Sequence, residues 1–278
     1  MDILQAIIIG LVQGLTEFLP VSSSAHLIFA QNLLGVADVG LAFDVLLHLG
    51  TLIAVVWFFR VDIYKLIVAW LESLLDIKDG YFKQGIKEDP FKRLAWYIIL
   101  ATIPVGLVGV LFESQVDAMF AGALYVPAFF LFVTGTILYL SQRMNTGTIN
   151  LTNIGPKEAL FMGLGQACAL LPGLSRSGTT IAAGLVADLD KEFAAKFSFI
   201  LSIPAILGAA LVKIPHLTSV GSFDMVAALA GFAVAVISGY FAIKWLLELI
   251  QKKSLDYFAY YCWIIGIVVF VGSIAHIF

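Results

Sequence analysis

Charge is what this chain has least of. Of its 278 residues, 13% are Asp, Glu, Lys or Arg, against about one quarter in an ordinary soluble domain. Too few charges are present to hydrate a globular surface, and 61% of the residues are hydrophobic, with a mean hydropathy of +0.99. The net charge is −3, which leaves no basic surface for nucleic acid. Cysteine is nearly absent. Cys168 and Cys262 both sit in apolar segments, which excludes a disulfide framework and a cysteine-based metal centre. The opening Met1-Asp2-Ile3-Leu4-Gln5 has neither a basic leader nor a small-residue cleavage site, so it does not read as a signal peptide. No polar stretch is long enough for a separate soluble domain. The chain reads as an all-α polytopic membrane protein with a single membrane domain over residues 1–278.

The apolar runs are of two lengths. Those at 41–59, 94–112, 118–140, 193–212, 225–247 and 257–275 are long enough to cross a bilayer. Those at 3–35 and 158–188 are broken by Pro20-Val21-Ser22-Ser23-Ser24 and by Pro172-Gly173, and neither arm spans by itself. Each is expected to dip into the membrane and return. Non-helical backbone at that depth survives only where protein or water satisfies it.

The two broken stretches resemble each other. Gly10-Leu11-Val12-Gln13 and Gly163-Leu164-Gly165-Gln166 open them, Leu-Pro follows in each, and both close in a hydroxyl-rich turn. A fainter echo pairs Ala42-Phe43-Asp44-Val45-Leu46 with Lys196-Phe197-Ser198-Phe199-Ile200. The expected architecture is therefore a repeat, about 3–140 and about 158–275, each half one re-entrant helical hairpin plus three transmembrane helices. Three spans separate the hairpins, and three is odd, so the second half is inserted upside down and the two hairpins face each other near the midplane. The basic residues between Arg60 and Arg93, with Arg143 and Lys252-Lys253, place those loops in the cytoplasm and both termini outside.

Nearly all the chemistry lies in the two hairpins. Glu17 is one helical turn from Gln13. A carboxylate and an amide oxygen suit a hard cation, Mg²⁺ or Ca²⁺, when substrate phosphate supplies further ligands. Ser22, Ser23 and Ser24 can cap a helix. His26, three residues after Ser23, makes with it the minimal nucleophile and base, although His26 could itself attack phosphorus. In the second hairpin Ser175-Arg176-Ser177-Gly178-Thr179-Thr180 opens a helix, where free N–H groups and the dipole bind phosphate and Arg176 adds a bidentate fork. Asp44 and His48, four residues apart, read as structural or interface residues. His216 and His276 fall near span ends.

Gln13 through Leu27 closely resembles the first signature of the undecaprenyl-pyrophosphate phosphatases of the bacitracin-resistance type, and Leu171 through Gly178 is similar to their second. The similarity covers the whole length, including His48-Leu49-Gly50-Thr51. It implies a multi-pass cell-membrane enzyme that hydrolyses a C55 isoprenoid diphosphate to the monophosphate carrier of cell-wall synthesis, assisted by a divalent metal. By position, Gln13 and Glu17 match the acidic, metal-linked signature. Ser23 and His26 match the nucleophile and base, and Ser175, Arg176, Ser177 and Thr180 match the phosphate-binding motif. Cys262 stands where many members have an arginine, which leaves Arg176 to carry more of the clamp. The partners implied are the polyprenyl diphosphate and membrane lipid, with a homodimer as one form of assembly. The rival reading is a carrier or flippase of a polyprenyl phosphate, which shares the broken-hairpin architecture but needs only the clamp.

Overall fold

A computed structural model of the chain describes residues 1–36, 41–120, 122–213, 224–252 and 254–275. His216, Lys253 and His276 lie outside the described residues. The helices are α1 (Ile3–Phe18), α2 (Ser23–Leu33), α3 (Leu41–Phe58), α4 (Arg60–Asp79), α5 (Phe82–Glu88), α6 (Pro90–Leu111), α7 (Glu113–Phe120), α8 (Tyr125–Met144), α9 (Pro156–Cys168), α10 (Arg176–Val186), α11 (Lys191–Lys213), α12 (Met225–Lys252) and α13 (Asp256–Ile274). Five of them, α6, α8, α11, α12 and α13, are long and apolar enough to cross a membrane. Their outward faces are greasy: Leu107 is 57% exposed, Leu211 67% and Ile264 62%. Such faces belong in lipid. This is a multi-pass membrane protein.

Local sequence explains where these helices start. Asp2 and Gln5 cap α1 reciprocally, the Gln5 N–H donating to Asp2 Oδ1 at 2.8 Å and the Asp2 N–H to Gln5 Oε1 at 2.9 Å. Asp89 caps α6 just before Pro90, a first-turn position where a missing N–H costs nothing. The expected span at 41–59 ends in a corner. α3 meets α4 at 81°, so the Arg60 segment continues as a long helix turned aside rather than as a loop. The run expected at 118–140 is also divided. α7 ends at Phe120 and the crossing helix begins at Tyr125.

Two pairs of short helices occupy the broken stretches, α1 with α2 and α9 with α10. Their surroundings match in pairs: α1 lies along α12 as α9 lies along α6, and α8 packs against α13. The shared opening glycines explain the first two contacts. A Cβ on Gly10 would collide with the carbonyl of Gly231 in α12, and one on Gly163 with the carbonyl of Ala101 in α6. Only a bare Cα lets these helices approach so closely. Each turn holds one residue in left-handed backbone, at different places: Ser22 (φ 68°) is itself the cap of α2, while Gly173 (φ 95°) precedes by two residues the cap Ser175, whose φ is −67°. A side chain at 173 would strike the Pro127 carbonyl.

Candidate functional site

The two turns meet and are stitched together by their serines. Ser22 caps α2, and Ser175 caps α10 by accepting from the Gly178 N–H at 3.0 Å. In each turn the cap hydroxyl pairs at 3.2 Å with the serine two residues on, Ser22 with Ser24 and Ser175 with Ser177. That second serine crosses to the other hairpin. Ser24 Oγ accepts from the Gly173 N–H at 3.3 Å, and Ser177 Oγ donates to the Leu19 carbonyl at 2.9 Å. Between each pair of serines stands one free position, Ser23 on one side and Arg176 on the other.

Both of those positions point at Glu17. Arg176 Nη2 donates to Glu17 Oε1 at 2.6 Å, and Ser23 Oγ donates to Glu17 Oε2 at 2.7 Å. Gln13 Nε2 also donates to Oε2, at 2.9 Å. The carboxylate side chain is only 5% exposed. A buried charge of this kind is tolerable only when paired and hydrogen-bonded, and here three side chains from both hairpins do it. Two buried atoms in the cluster have no partner: Gln13 Oε1 and Arg176 Nη1. They are an acceptor and a donor left over for something else.

The remaining expected residues divide. His26 is not hydrogen-bonded to Ser23. Its Nδ1 lies 2.8 Å from the Ser22 carbonyl, which can only accept, so Nδ1 carries the proton. Nε2 then accepts from the Tyr261 hydroxyl at 2.8 Å, and the two rings stack at 5.6 Å. The helix spacing that suggests a Ser23–His26 pair is real, but the Ser23 hydroxyl is taken by the carboxylate across the turn. Ser175, Ser177 and Thr180 are buried and bonded within the protein, with Thr180 Oγ1 on Ser198 of α11 at 2.5 Å. They build the turn, and Arg176 is the member of the motif that reaches the centre. Cys262 is buried with its Sγ 3.6 Å from the Pro20 carbonyl, so it lies against the first turn, next to the Tyr261 that holds His26.

One residue of the centre was read as structural. His48 Nε2 lies 3.7 Å from Glu17 Oε2, while its Nδ1 lies 2.7 Å from the Asp44 carbonyl. The Asp44 carboxylate accepts from Gln31 at 2.7 Å instead. The signal available in the sequence was an imidazole inside an apolar span, which by default marks function. Among the described residues, no three of His, Cys, Asp and Glu come together as a metal site.

A family model described as "Bacitracin resistance protein BacA" matches residues 6–268. The chain belongs to that family. The match takes in both turns and all or most of every helix. Among its relatives is an undecaprenyl-diphosphatase of Methanobrevibacter smithii, 73% identical over the full length of both chains. Another is the undecaprenyl-diphosphatase of Methanosphaera stadtmanae, 47% identical and covering 99% of each chain. The enzyme of the same name from Carboxydothermus hydrogenoformans is 40% identical, covering 98% of this chain and 97% of its own.

Proposed function

We propose that the protein is an undecaprenyl-diphosphate phosphatase, cleaving the anhydride to release undecaprenyl phosphate and inorganic phosphate. The observation that carries this reading is the convergence of a hydroxyl and a guanidinium on one buried carboxylate, Ser23 and Arg176 on Glu17. Phosphoryl transfer asks chiefly for positioning and for cations around spread negative charge. Arg176 turns from Glu17 to the terminal phosphate, with Nη1 already free. Ser23 Oγ, aimed by Glu17, attacks the terminal phosphorus. The bond from phosphorus to the bridging oxygen breaks, the lipid monophosphate leaves, and the Ser23 proton passes late to Glu17. Water then attacks the phosphoserine: the phosphorus–Oγ bond breaks, Glu17 returns its proton to Oγ, and the water's proton passes through the Tyr261 hydroxyl to His26 Nε2, which accepts from that hydroxyl. His26 suits this step because its Nδ1 proton is fixed on a carbonyl.

A divalent ion fits the oxygens present. Glu17 and the unpartnered Gln13 Oε1 offer two hard donors, and substrate phosphate offers more. Such an ion supplies charge neutralisation at the transferring phosphoryl group.

The same reading places the two hairpins as inverted repeats meeting near the midplane, with both termini outside. It is supported by the paired contacts of α1 with α12 and α9 with α6 and by the basic residues between α3 and α6.

Purified protein supplied with undecaprenyl diphosphate should release phosphate, and Ser23→Ala should lower turnover by about 100-fold or more, the scale of removing a nucleophile or its general base. Lipid binding without any phosphate release would leave the clamp and remove the enzyme, in favour of the carrier.

A further inference from the structure

We propose that His48 completes the metal site begun by Glu17 and Gln13, making it a mixed nitrogen and oxygen site that takes a first-row ion such as Mn²⁺ in preference to Mg²⁺ or Ca²⁺. The inference rests on the metal-assisted reading above and adds a ligand to it. Three observations carry it.

The first is the tautomer. His48 Nδ1 faces the Asp44 carbonyl at 2.7 Å. A carbonyl only accepts, so the ring proton sits on Nδ1 and the lone pair of the neutral ring is at Nε2. Metal-binding histidines show this arrangement, with the far nitrogen donating to a backbone carbonyl or carboxylate. The second is the gap. Nε2 and Glu17 Oε2 stand 3.7 Å apart, too far for a hydrogen bond. Two donors on one small cation are roughly 3–3.5 Å apart, given bond lengths near 2.0–2.2 Å. The Nε2 lone pair faces an oxygen that accepts from Ser23 and Gln13, so a cation bridges the space with a small closing movement once the Gln13 N–H turns away. The third is Gln13, fully buried with Oε1 unpartnered. Which end of an amide faces its neighbour is set by what that neighbour needs. With a cation at Oε2, the amide turns over and Oε1 joins Glu17 Oε2 and His48 Nε2 around it.

The site is closed on the protein side and open on the other. The Glu17 side chain is 5% exposed and that of His48 33%, which leaves room for water or phosphate oxygens. An imidazole in the donor set decides the metal class. Mg²⁺ and Ca²⁺ take oxygen almost without exception, while nitrogen raises affinity for first-row ions. The groups facing the ion from other elements are Ser23 of α2 and Arg176 of α10. Arg176 is on the opposite carboxylate oxygen and becomes free to move to phosphate once an ion takes over the neutralisation of Glu17.

The test is Mn²⁺ titration of the purified full-length protein followed by electron paramagnetic resonance, without lipid substrate. The expected result is one bound Mn²⁺ per chain with hyperfine coupling to a directly bonded nitrogen, changed when histidine is ¹⁵N-labelled. His48→Gln should lose that coupling and bind Mn²⁺ tenfold or more weakly, while its Ca²⁺ affinity falls less. Labelling the wild type makes the result independent of how the variant folds. Mn²⁺ bound by wild type without nitrogen coupling overturns the His48 assignment and leaves the oxygen site standing. No Mn²⁺ bound at all also overturns it, and phosphate release measured in chelator then decides whether the metal-assisted reading falls with it.

Discussion

Removing the guanidinium from position 176 should do two separable things. The Arg176–Glu17 pair is short, at 2.6 Å, and the two side chains are 16% and 5% exposed. Charge centres about 4 Å apart at an effective dielectric near 20 attract by about 4 kcal/mol. Breaking a buried pair by deleting one partner costs about 3–5 kcal/mol, because the other charge stays behind. Gln13 and Ser23 still hold Oε2, which puts the loss at the low end, about 3 kcal/mol. For a chain of this size that lowers Tm by roughly 6–12 °C. In the transition state the guanidinium acts on the phosphate instead, and removing such a donor slows turnover by about 100-fold or more. Arg176→Ala should therefore be both slow and unstable. Adding Glu17→Gln removes the stranded charge, so the double variant should regain at least half of the lost Tm while staying inactive. The assays are thermal unfolding in detergent and phosphate release from undecaprenyl diphosphate, run on wild type, both single variants and the double. If Arg176→Ala melts with the wild type, or if the double variant is no more stable than Arg176→Ala, the pair does not neutralise Glu17 and the reasoning fails.

Tyr261→Phe keeps the ring that stacks on His26 and removes the hydroxyl that Nε2 accepts from. One hydrogen bond of about 1 kcal/mol should appear as a roughly fivefold fall in kcat at unchanged KM, and a KM change alone would show that Tyr261 serves lipid entry instead. For topology, a single cysteine introduced at Gln84, in the exposed helix between Tyr81 and Asp89, should resist an impermeant thiol reagent in intact cells and react after lysis; labelling of intact cells would place that segment outside and reverse the orientation.

The hairpins were legible because their signals are local. A proline in a short apolar run, serines able to cap and a repeated Gly-Leu-x-Gln pattern report backbone events within a few residues, and the helix breaks fall between α1 and α2 and between α9 and α10. The corner between α3 and α4 was not legible. Phe59 and Arg60 continue an ordinary helical pattern, and the 81° turn contains neither proline nor glycine. The start of α8 was missed for a related reason: Phe120 to Leu124 is apolar enough to read as membrane. Glu17 and Arg176 could each be named as functional from their type and place, but their contact spans 159 positions and depends on how two hairpins meet. The same holds for His48, whose partner Glu17 lies on another helix, and for the Ser23 hydroxyl, which turned from its neighbour in sequence to a carboxylate across the turn.

The two serine frames pair and cross-bond alike, and they differ in the charges that they hold. Four residues after the shared glutamine the first hairpin has Glu17 and the second has Leu170; between the framing serines the first has Ser23 and the second Arg176. These two differences depend on each other. A second arginine at position 23 would set two cations against one carboxylate, and a serine at 176 would leave that carboxylate buried without a counter-charge. A second carboxylate at 170 would call for a further cation. One acid from one half and one base from the other is the smallest balanced set that such a frame can enclose in a medium that does not hydrate ions, so neither half could lose its own charged residue without the other half changing too.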